Sequence, residues 1–270
     1  MPKESEVKKA NIALHDKTAH YFEEKNVELF NVVEKRNFDE RIREADQTCK
    51  RHVICCDLGC GTGFLIQKQL PRFEDVVGLD MSKEMIRVCE AKGLGKRACF
   101  ILADAENLPF RNNVFDIVTM RAALHHIPSV SKCFEEIYRV LTKEGIMYID
   151  HEPNRKRVAS FIKKLKIFPK LVDDLRVRKY GTGQSSYGLF PPEYRIADVH
   201  ESEGFSSREI RKKLTSIGFS IVKTKSHHTS FMYLYRLPSP LNSLSSVDRL
   251  LDSLPLVKHI SSHICIWARK

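Results

Sequence analysis

The stretch Cys56-Asp-Leu-Gly-Cys-Gly-Thr-Gly-Phe64 decides the fold of this 270-residue chain. It places three glycines between an apolar run typical of a buried strand and a helical pattern that begins near Phe64. Glycine is needed where a ligand presses against a turn or where the turn demands a positive φ. The spacing is G-x-G-x-G, whereas a dinucleotide fingerprint would need its third glycine at position 64, so the pattern counts against NAD.

Short apolar runs and helical stretches alternate around and beyond this turn. The predicted strands are 53–56, 76–79, 99–102, 115–119 and 146–149, with helices at 64–70, 82–91 and 130–141. After an interruption, a helix at 206–217 and strands at 219–223 and 263–268 resume the pattern. Such alternation predicts a doubly wound, Rossmann-like α/β fold with a mostly parallel sheet covered by helices on both faces.

Four regions follow from this pattern. Residues 1–50 form an N-terminal helical cover, and residues 51–152 form the core that carries the glycine turn. Residues 153–205 form a basic insertion that we expect to act as a lid over the acceptor site, because it opens at the same sheet edge as the turn. Residues 206–270 complete the sheet, with a second insertion at about 226–260.

Acidic residues follow the next two predicted strands. At the end of the second strand, the carboxylate of Asp80 can accept both hydroxyls of a ribose, and Asp104, after the third, can receive an exocyclic amine. Taken singly, Asp80 could instead cap the helix that begins near Ser82, and Asp104 could open a turn before Pro109. Together with the glycine turn, they favour one nucleoside pocket at the strand ends.

The order of these motifs resembles the class I S-adenosylmethionine-dependent methyltransferases, particularly the group that includes ubiquinone and menaquinone C-methyltransferases. The motifs that carry the resemblance are Asp57-Leu-Gly-Cys-Gly-Thr-Gly63, Gly78-Leu-Asp80, Asp104-Ala-Glu-Asn-Leu-Pro-Phe110, Phe115-Asp-Ile-Val118 and Leu124-His-His-Ile127. The resemblance implies seven strands with an antiparallel last strand, and S-adenosyl-L-methionine as cofactor.

The resemblance also assigns roles to individual residues. Within the turn that holds Cys60 and Gly63, it implies that Asp57, Gly59 and Gly61 bind the methionine part of the cofactor. It implies that Asp80 and Met81 bind the ribose and the adenine edge, that Asp104 and Ala105 bind the adenine, and that Met120 and Arg121 lie near the transferable methyl group.

Several side chains are candidates for the acceptor chemistry. A general base would assist methylation of a hydroxyl, amine or activated carbon, and the candidates are His125, His126, His151 and Glu152. The alternative for the histidine pair is that one ring packs under the sheet and the other bonds the backbone. Arg121 suits an anionic acceptor or could be a solvated loop residue. The chemistry requires no metal, and the eight cysteines are interpreted as buried reduced thiols.

The formal charge of +11 is concentrated in the second half of the chain. Residues 155–179 alone hold ten Lys and Arg against two acids. This basic segment could be a solvated lid, a contact with an anionic membrane, or a grip on RNA phosphates. A small-molecule acceptor is the leading prediction; an RNA methyltransferase and a cofactor-binding regulatory module without turnover are the alternatives. With neither a signal peptide nor an apolar spanning stretch in the sequence, we expect a cytoplasmic protein.

Overall fold

The computed structural model describes residues 3–25, 32–155, 196–197, 199–200, 204–227 and 263–270. Its centre is a seven-stranded sheet in the order β3-β2-β1-β4-β5-β7-β6. The strands are β1 (Ile54–Leu58), β2 (Asp75–Asp80), β3 (Cys99–Leu102), β4 (Phe115–Arg121), β5 (Leu141–Pro153), β6 (Ser220–His227) and β7 (His263–Arg269).

The pairing of these strands confirms the predicted fold class. Strands β1 to β5 pair in parallel, and β7 runs antiparallel to both β5 and β6. The chain order reverses between β1 and β4, which leaves a crevice outside the carboxyl ends of these strands. Ligands bind at this position in open α/β sheets.

Seven α-helices surround the sheet in the described part of the chain. They are α1 (Glu4–Thr18), α2 (Phe22–Lys25), α3 (Val32–Thr48), α4 (Phe64–Gln69), α5 (Lys83–Ala91), α6 (Val130–Val140) and α7 (Ser207–Ile217). Small residues cap two of them: the Ser82 hydroxyl accepts a hydrogen bond from the Met85 amide at the start of α5, and Gly218 ends α7 with a φ of +118°.

Both faces of the sheet are buried, as the alternating pattern predicts. On one face, Phe38 and Ile42 of α3 belong to the same apolar core as Tyr148 and Trp267 of the sheet. On the other face, the core includes residues of α6 and α7, among them Phe134, Ile137 and Leu214. The sheet is therefore held between two helical layers, and its carboxyl edge is left for a site.

Parts of the predicted organisation lie outside the described residues. Most of the basic insertion at 153–205 and nearly all of the second insertion at about 226–260 fall there. Among the described residues, none of the helices combines the length and the apolar character needed to cross a bilayer.

Candidate cofactor and acceptor site

One cleft opens at the carboxyl ends of β1, β2 and β4, beside the glycine turn. It encloses about 1150 Å³ of empty space including its open mouth, which is ample for a ligand of nucleoside size. Eleven of the fifteen residues that the sequence nominates line this one cleft: Asp57, Gly59, Cys60, Gly61, Asp80, Met81, Asp104, Ala105, Met120, Arg121 and His126.

The glycine turn brings bare backbone to the wall of the cleft. Gly59 has a φ of +66°, and a Cβ at this position would lie 2.7 Å from the Cβ of Ala123. Gly61 has a φ of +53°, and an added Cβ would meet only the Phe22 ring, at 4.0 Å. The first glycine is therefore required by packing against the β4 loop, and the second keeps the cleft open for a ligand.

Asp80 ties the end of β2 to the glycine turn. One carboxylate oxygen accepts a hydrogen bond from the Gly61 amide at 2.8 Å, and the other accepts from the Ser82 amide at 2.8 Å. Each oxygen keeps a second lone pair that a ligand hydroxyl could use. Desolvation raises the pKa of Asp80, although hydrogen bonds from the Ser82, Gly61 and Met81 amides act in the opposite direction.

Asp57 is a buried carboxylate at the base of the cleft. The Thr119 hydroxyl donates to it at 2.8 Å, and the Gln69 amide donates in turn to Thr119 at 2.8 Å. Burial is the main reason that the pKa of Asp57 rises to about 7, and the nearby Asp80 adds to the rise. Sequence reasoning missed Thr119 and Gln69, because a polar residue inside an apolar strand or a short helix carries no motif.

The N-terminal helix α1 reaches the third acid of the cleft. The Lys8 ammonium lies 2.7 Å from Asp104 and 2.5 Å from Glu106, so it bridges both carboxylates. The Glu106 carboxylate also accepts from the Ser129 amide at 2.6 Å. Lys8 was not among the predicted site residues, because its place on an amphipathic helix resembles that of any solvated lysine.

Other contacts lay the N-terminal segment across the mouth of the cleft. The Asn11 side chain donates to the His126 carbonyl at 3.2 Å, and the His15 and His126 rings meet edge to face at 4.9 Å. The Ser82 hydroxyl donates to Asp16 at 2.6 Å. Since Lys8, Asn11, His15 and Phe22 all line the cleft, the described N-terminal helices form one of its walls.

Arg121 lines the cleft at the end of β4, and its guanidinium contacts two aromatic rings. Its Cζ lies 5.4 Å from the centre of the Phe38 ring and 5.2 Å from that of Phe64, which is the geometry of cation–π contacts. Its Nε is buried and has no hydrogen-bond partner among the described residues. Among the described residues this cation contacts aromatic rings and forms no ion pair with an acid, and its Nε–H remains a potential donor.

Glu152 anchors the loop that carries the histidine pair. Its carboxylate is fully buried and accepts hydrogen bonds from the amides of Ala123, Leu124 and His125 at 2.9 to 3.1 Å. The same carboxylate lies 2.9 Å from Nδ1 of His125. Three backbone amides and one imidazole therefore converge on one acid, and the loop from β4 is fixed on the end of β5.

His126 faces the cleft, and its hydrogen bond sets its tautomer. Its Nδ1 lies 3.2 Å from the Ala197 carbonyl, which can only accept, so Nδ1 carries the proton. In the neutral ring, the lone pair is then on Nε2, as a base requires.

Four predicted residues do not line the cleft. Gly63 packs under the turn, where a Cβ would lie 2.6 Å from Leu94. His125 and Glu152 contact each other beneath the loop that follows β4. His151 is buried against His263, with ring centres 3.9 Å apart, and burial lowers its pKa well below the ordinary histidine value.

Comparisons with known proteins agree on the family of the chain. A family model described as a methyltransferase domain matches residues 56–149. The chain is 30% identical over 173 residues to a demethylmenaquinone methyltransferase of Lactobacillus johnsonii, covering 58% of this chain and 69% of that protein. It is 32% identical over 136 residues to the uncharacterized methyltransferase YcgJ of Bacillus subtilis, covering 47% of this chain and 53% of that protein.

A solved structure shares the fold. A methyltransferase from Aquifex aeolicus that depends on S-adenosylmethionine superposes with a TM-score of 0.55 at 14% identity, covering 94% of this chain and 97% of that one. The chain belongs to the class I S-adenosylmethionine-dependent methyltransferases. The family's cofactor is S-adenosyl-L-methionine, and its mostly parallel sheet with an antiparallel last strand is the one observed here.

The residues present fit that cofactor. S-adenosylmethionine carries positive charge on its sulfonium and ammonium groups, and the cleft wall holds the buried carboxylate of Asp57 and the partly buried carboxylate of Asp80, whose pKa values are both raised. A cation beside such groups favours their ionised forms. The bare backbone of Gly61 leaves room for the ligand.

Proposed function

We propose that the protein transfers a methyl group to a small-molecule acceptor that carries an anionic or ionisable group next to the reacting atom. Arg121 is the observation that carries this proposal. The residue lines the cleft, its guanidinium contacts two aromatic rings, and its buried Nε has no hydrogen-bond partner among the described residues. A buried donor without a partner costs roughly 1–3 kcal/mol, which an anionic acceptor would offset.

The cofactor would be held by the residues at the strand ends. Asp57 and the backbone of Gly59 and Gly61 would bind its methionine part, Asp80 and Met81 the ribose side, and Asp104 and Ala105 the adenine. When bound, the cofactor supplies a methyl group on a positively charged sulfur, which is electrophilic without further activation. The chain must therefore mainly align the acceptor and exclude water.

The acceptor side has its own chemical groups. Arg121 would bind the anionic group and fix its orientation, and the Phe64 ring, which also lines the cleft, would offer a flat apolar surface. His126, protonated on Nδ1 by its contact with the Ala197 carbonyl, would accept a proton on Nε2 from an acceptor that must lose one.

An aromatic hydroxyl compound suits these groups. The Lactobacillus johnsonii relative is named for demethylmenaquinone, a quinone, although identity to it is only 30%. A quinol presents a flat ring for Phe64 and an ionisable oxygen for Arg121. We therefore place quinol-like compounds first among the small-molecule acceptors, ahead of aliphatic carboxylates.

A methyl-transfer assay with labelled S-adenosylmethionine tests this proposal. The acceptor panel holds a reduced 1,4-naphthoquinone, phenolic acids, aliphatic carboxylates and tRNA. We expect label in a small anionic compound, with KM raised at least about tenfold in Arg121→Gln, the loss of one charge-assisted contact. Arg111→Gln, which changes an exposed arginine, is the matched control and keeps the wild-type KM. Label in tRNA alone, or an Arg121→Gln variant equal to wild type, would overturn the proposal.

A further inference from the structure

Three histidines from three different strands meet at the same edge of the sheet as the cleft. They are His151 near the carboxyl end of β5, His227 at the end of β6, and His263 at the start of β7. One ring nitrogen of each lies within 4.8 Å of the corresponding nitrogens of the other two. A Zn²⁺ ion at a Zn–N distance of about 2.0–2.1 Å lies in the plane of each ligand ring. Binding would therefore require the His151 and His263 rings, which stack with an interplanar angle of 15°, to rotate about their side-chain bonds.

A bulge in β5 produces this meeting. The register between β5 and β7 shifts between Ile149 and Glu152, and His151 has a φ of +61° within the shifted segment. A residue other than glycine adopts this conformation at a cost of about 1–3 kcal/mol when the surroundings impose it. Bulges commonly redirect a side chain next to a functional site, and here the bulge stacks His151 on His263.

The buried ring of His151 has an unused nitrogen. The residue is only 8% exposed, and its Nδ1 has no hydrogen-bond partner among the described residues. Nearly all buried polar atoms in folded proteins are hydrogen-bonded, so this nitrogen at a strained position is available to a ligand.

The surroundings add groups that suit a cation. Oδ1 of Asp150 lies 3.9 Å from Nε2 of His227, and Asp150, His227 and Cys265 form a second set with ligand atoms within 4.8 Å of one another. The other carboxylate oxygen of Asp150 is engaged by Arg41 at 3.1 Å and by the Tyr148 hydroxyl at 2.9 Å. Asp150 is thus a fixed carboxylate beside the histidines, as outer partners of metal-binding histidines are.

We propose that His151, His227 and His263 bind one divalent cation of the zinc class. Three imidazoles select borderline ions such as Zn²⁺ over Mg²⁺ or Ca²⁺, which prefer oxygen ligands. Three protein ligands leave a fourth position for water, for Asp150 or for a bound molecule. This site was not predicted from the sequence, because its members are 76 and 36 residues apart along the chain and match no metal motif.

Calorimetric titration of chelator-treated, dialysed full-length protein with Zn²⁺ tests the site. We expect one ion per chain in the wild type and binding at least about 100-fold weaker in His263→Gln, since even outer partners of metal ligands contribute 10–100-fold. His263 is only partly buried, so its substitution should leave the fold intact. His20→Gln removes an exposed imidazole outside the cluster and should bind as the wild type does.

Co²⁺ substitution provides a second readout that does not depend on methyl transfer. Bound Co²⁺ should show the intense visible absorption of a four-coordinate ion in the wild type and in His20→Gln, and not in His263→Gln or His227→Gln. Far-ultraviolet circular dichroism of each variant checks that it is folded. Wild-type protein that is folded but binds neither ion, or ion binding that is equal in wild type and His263→Gln, would overturn the proposal, whatever the methyl-transfer assay shows.

Discussion

The ammonium of Lys8 lies 2.7 Å from the carboxylate of Asp104, so a helix at the start of the chain is bonded to a residue expected to contact the adenine of the cofactor. The two residues are 96 positions apart, and the same ammonium also contacts Glu106. An ion pair therefore joins helix α1, which forms one wall of the cleft, to the part of the cleft expected to bind adenine.

Removing the Lys8 ammonium should make helix α1 less stably attached to the cleft. In Lys8→Met, we expect amide hydrogen exchange across Glu4–Thr18 to speed up by as much as about fivefold, because a partly exposed ion pair contributes up to about 1 kcal/mol. S-adenosylmethionine should also dissociate faster. Exchange mass spectrometry and stopped-flow measurements check this, with the exposed neighbour changed in Lys9→Met as control. Unchanged exchange in Lys8→Met would show that the link does not hold the helix.

The first glycine of the turn should be intolerant of a side chain. Gly59→Ala combines a left-handed φ of +66° with a Cβ 2.7 Å from Ala123, whereas Gly93→Ala combines a φ of +74° with no atom within 4 Å. The strained backbone costs about 1–2 kcal/mol in both variants, and the clash adds about 1–3 kcal/mol at Gly59 alone. Urea unfolding measures both. Equal losses of unfolding free energy would mean that packing against Ala123 is unimportant.

The buried Asp57 should make both stability and cofactor affinity depend on pH. Because its folded pKa of about 7 lies above its unfolded value, the folded state binds the extra proton between about pH 4 and 7. The cofactor-free protein should therefore lose stability as pH rises through this window, and Asp57→Asn should lose less. Cationic S-adenosylmethionine favours the ionised carboxylate, so its affinity should rise over the same window and level off above about pH 7.

Melting temperatures and calorimetry from pH 4 to 8 separate these effects. A cofactor-free wild type whose pH profile matches that of Asp57→Asn would contradict the raised pKa. The pKa of Asp80 is also raised, so the test depends on the comparison between wild type and Asp57→Asn and not on the wild-type profile alone.

The stability of the loop that carries His125 and His126 should depend on the carboxylate of Glu152, even when the replacement has the same shape. Glu152→Gln replaces one acceptor oxygen with an amino group that faces the donors from Ala123, Leu124 or His125. We expect a loss of about 1–3 kcal/mol in unfolding free energy and slower methyl transfer, because the loop also carries His126. Glu135→Gln, on an exposed face of α6, is the control. Wild-type stability in Glu152→Gln would show that the loop does not need the charge.

The parts of the fold and site that sequence reasoning found are local in the chain. The glycine turn, Asp80 and Ser82 lie within 24 residues, and each is dictated by the strand or helix end on which it sits. The alternation of apolar runs likewise fixed the order of strands and helices, since each run must bury its side chains against the next layer.

The parts that it missed depend on packing between distant segments. Lys8 reaches Asp104 only because α1 crosses the cleft, and Thr119 meets Asp57 only because β4 pairs with β1 in one register. The bulge that turns His151 toward His263 could not be predicted from the sequence of β5. The strand does not alternate there: residues 146–149 are all apolar or aromatic, and residues 150–152 are all polar. Contacts between residues far apart in the chain exist only once the chain is folded, so patterns within one segment do not predict them.

Titration of the protein with S-adenosylmethionine by calorimetry tests the cleft most directly. Wild-type protein should bind one molecule per chain at micromolar concentrations. Asp80→Asn should bind at least about tenfold more weakly, since a charge-assisted contact is lost. Asp75→Asn, which changes the exposed first residue of the same strand, should bind as the wild type does. Equal affinity in wild type and Asp80→Asn, or no binding by folded wild-type protein, would contradict this assignment of the cleft.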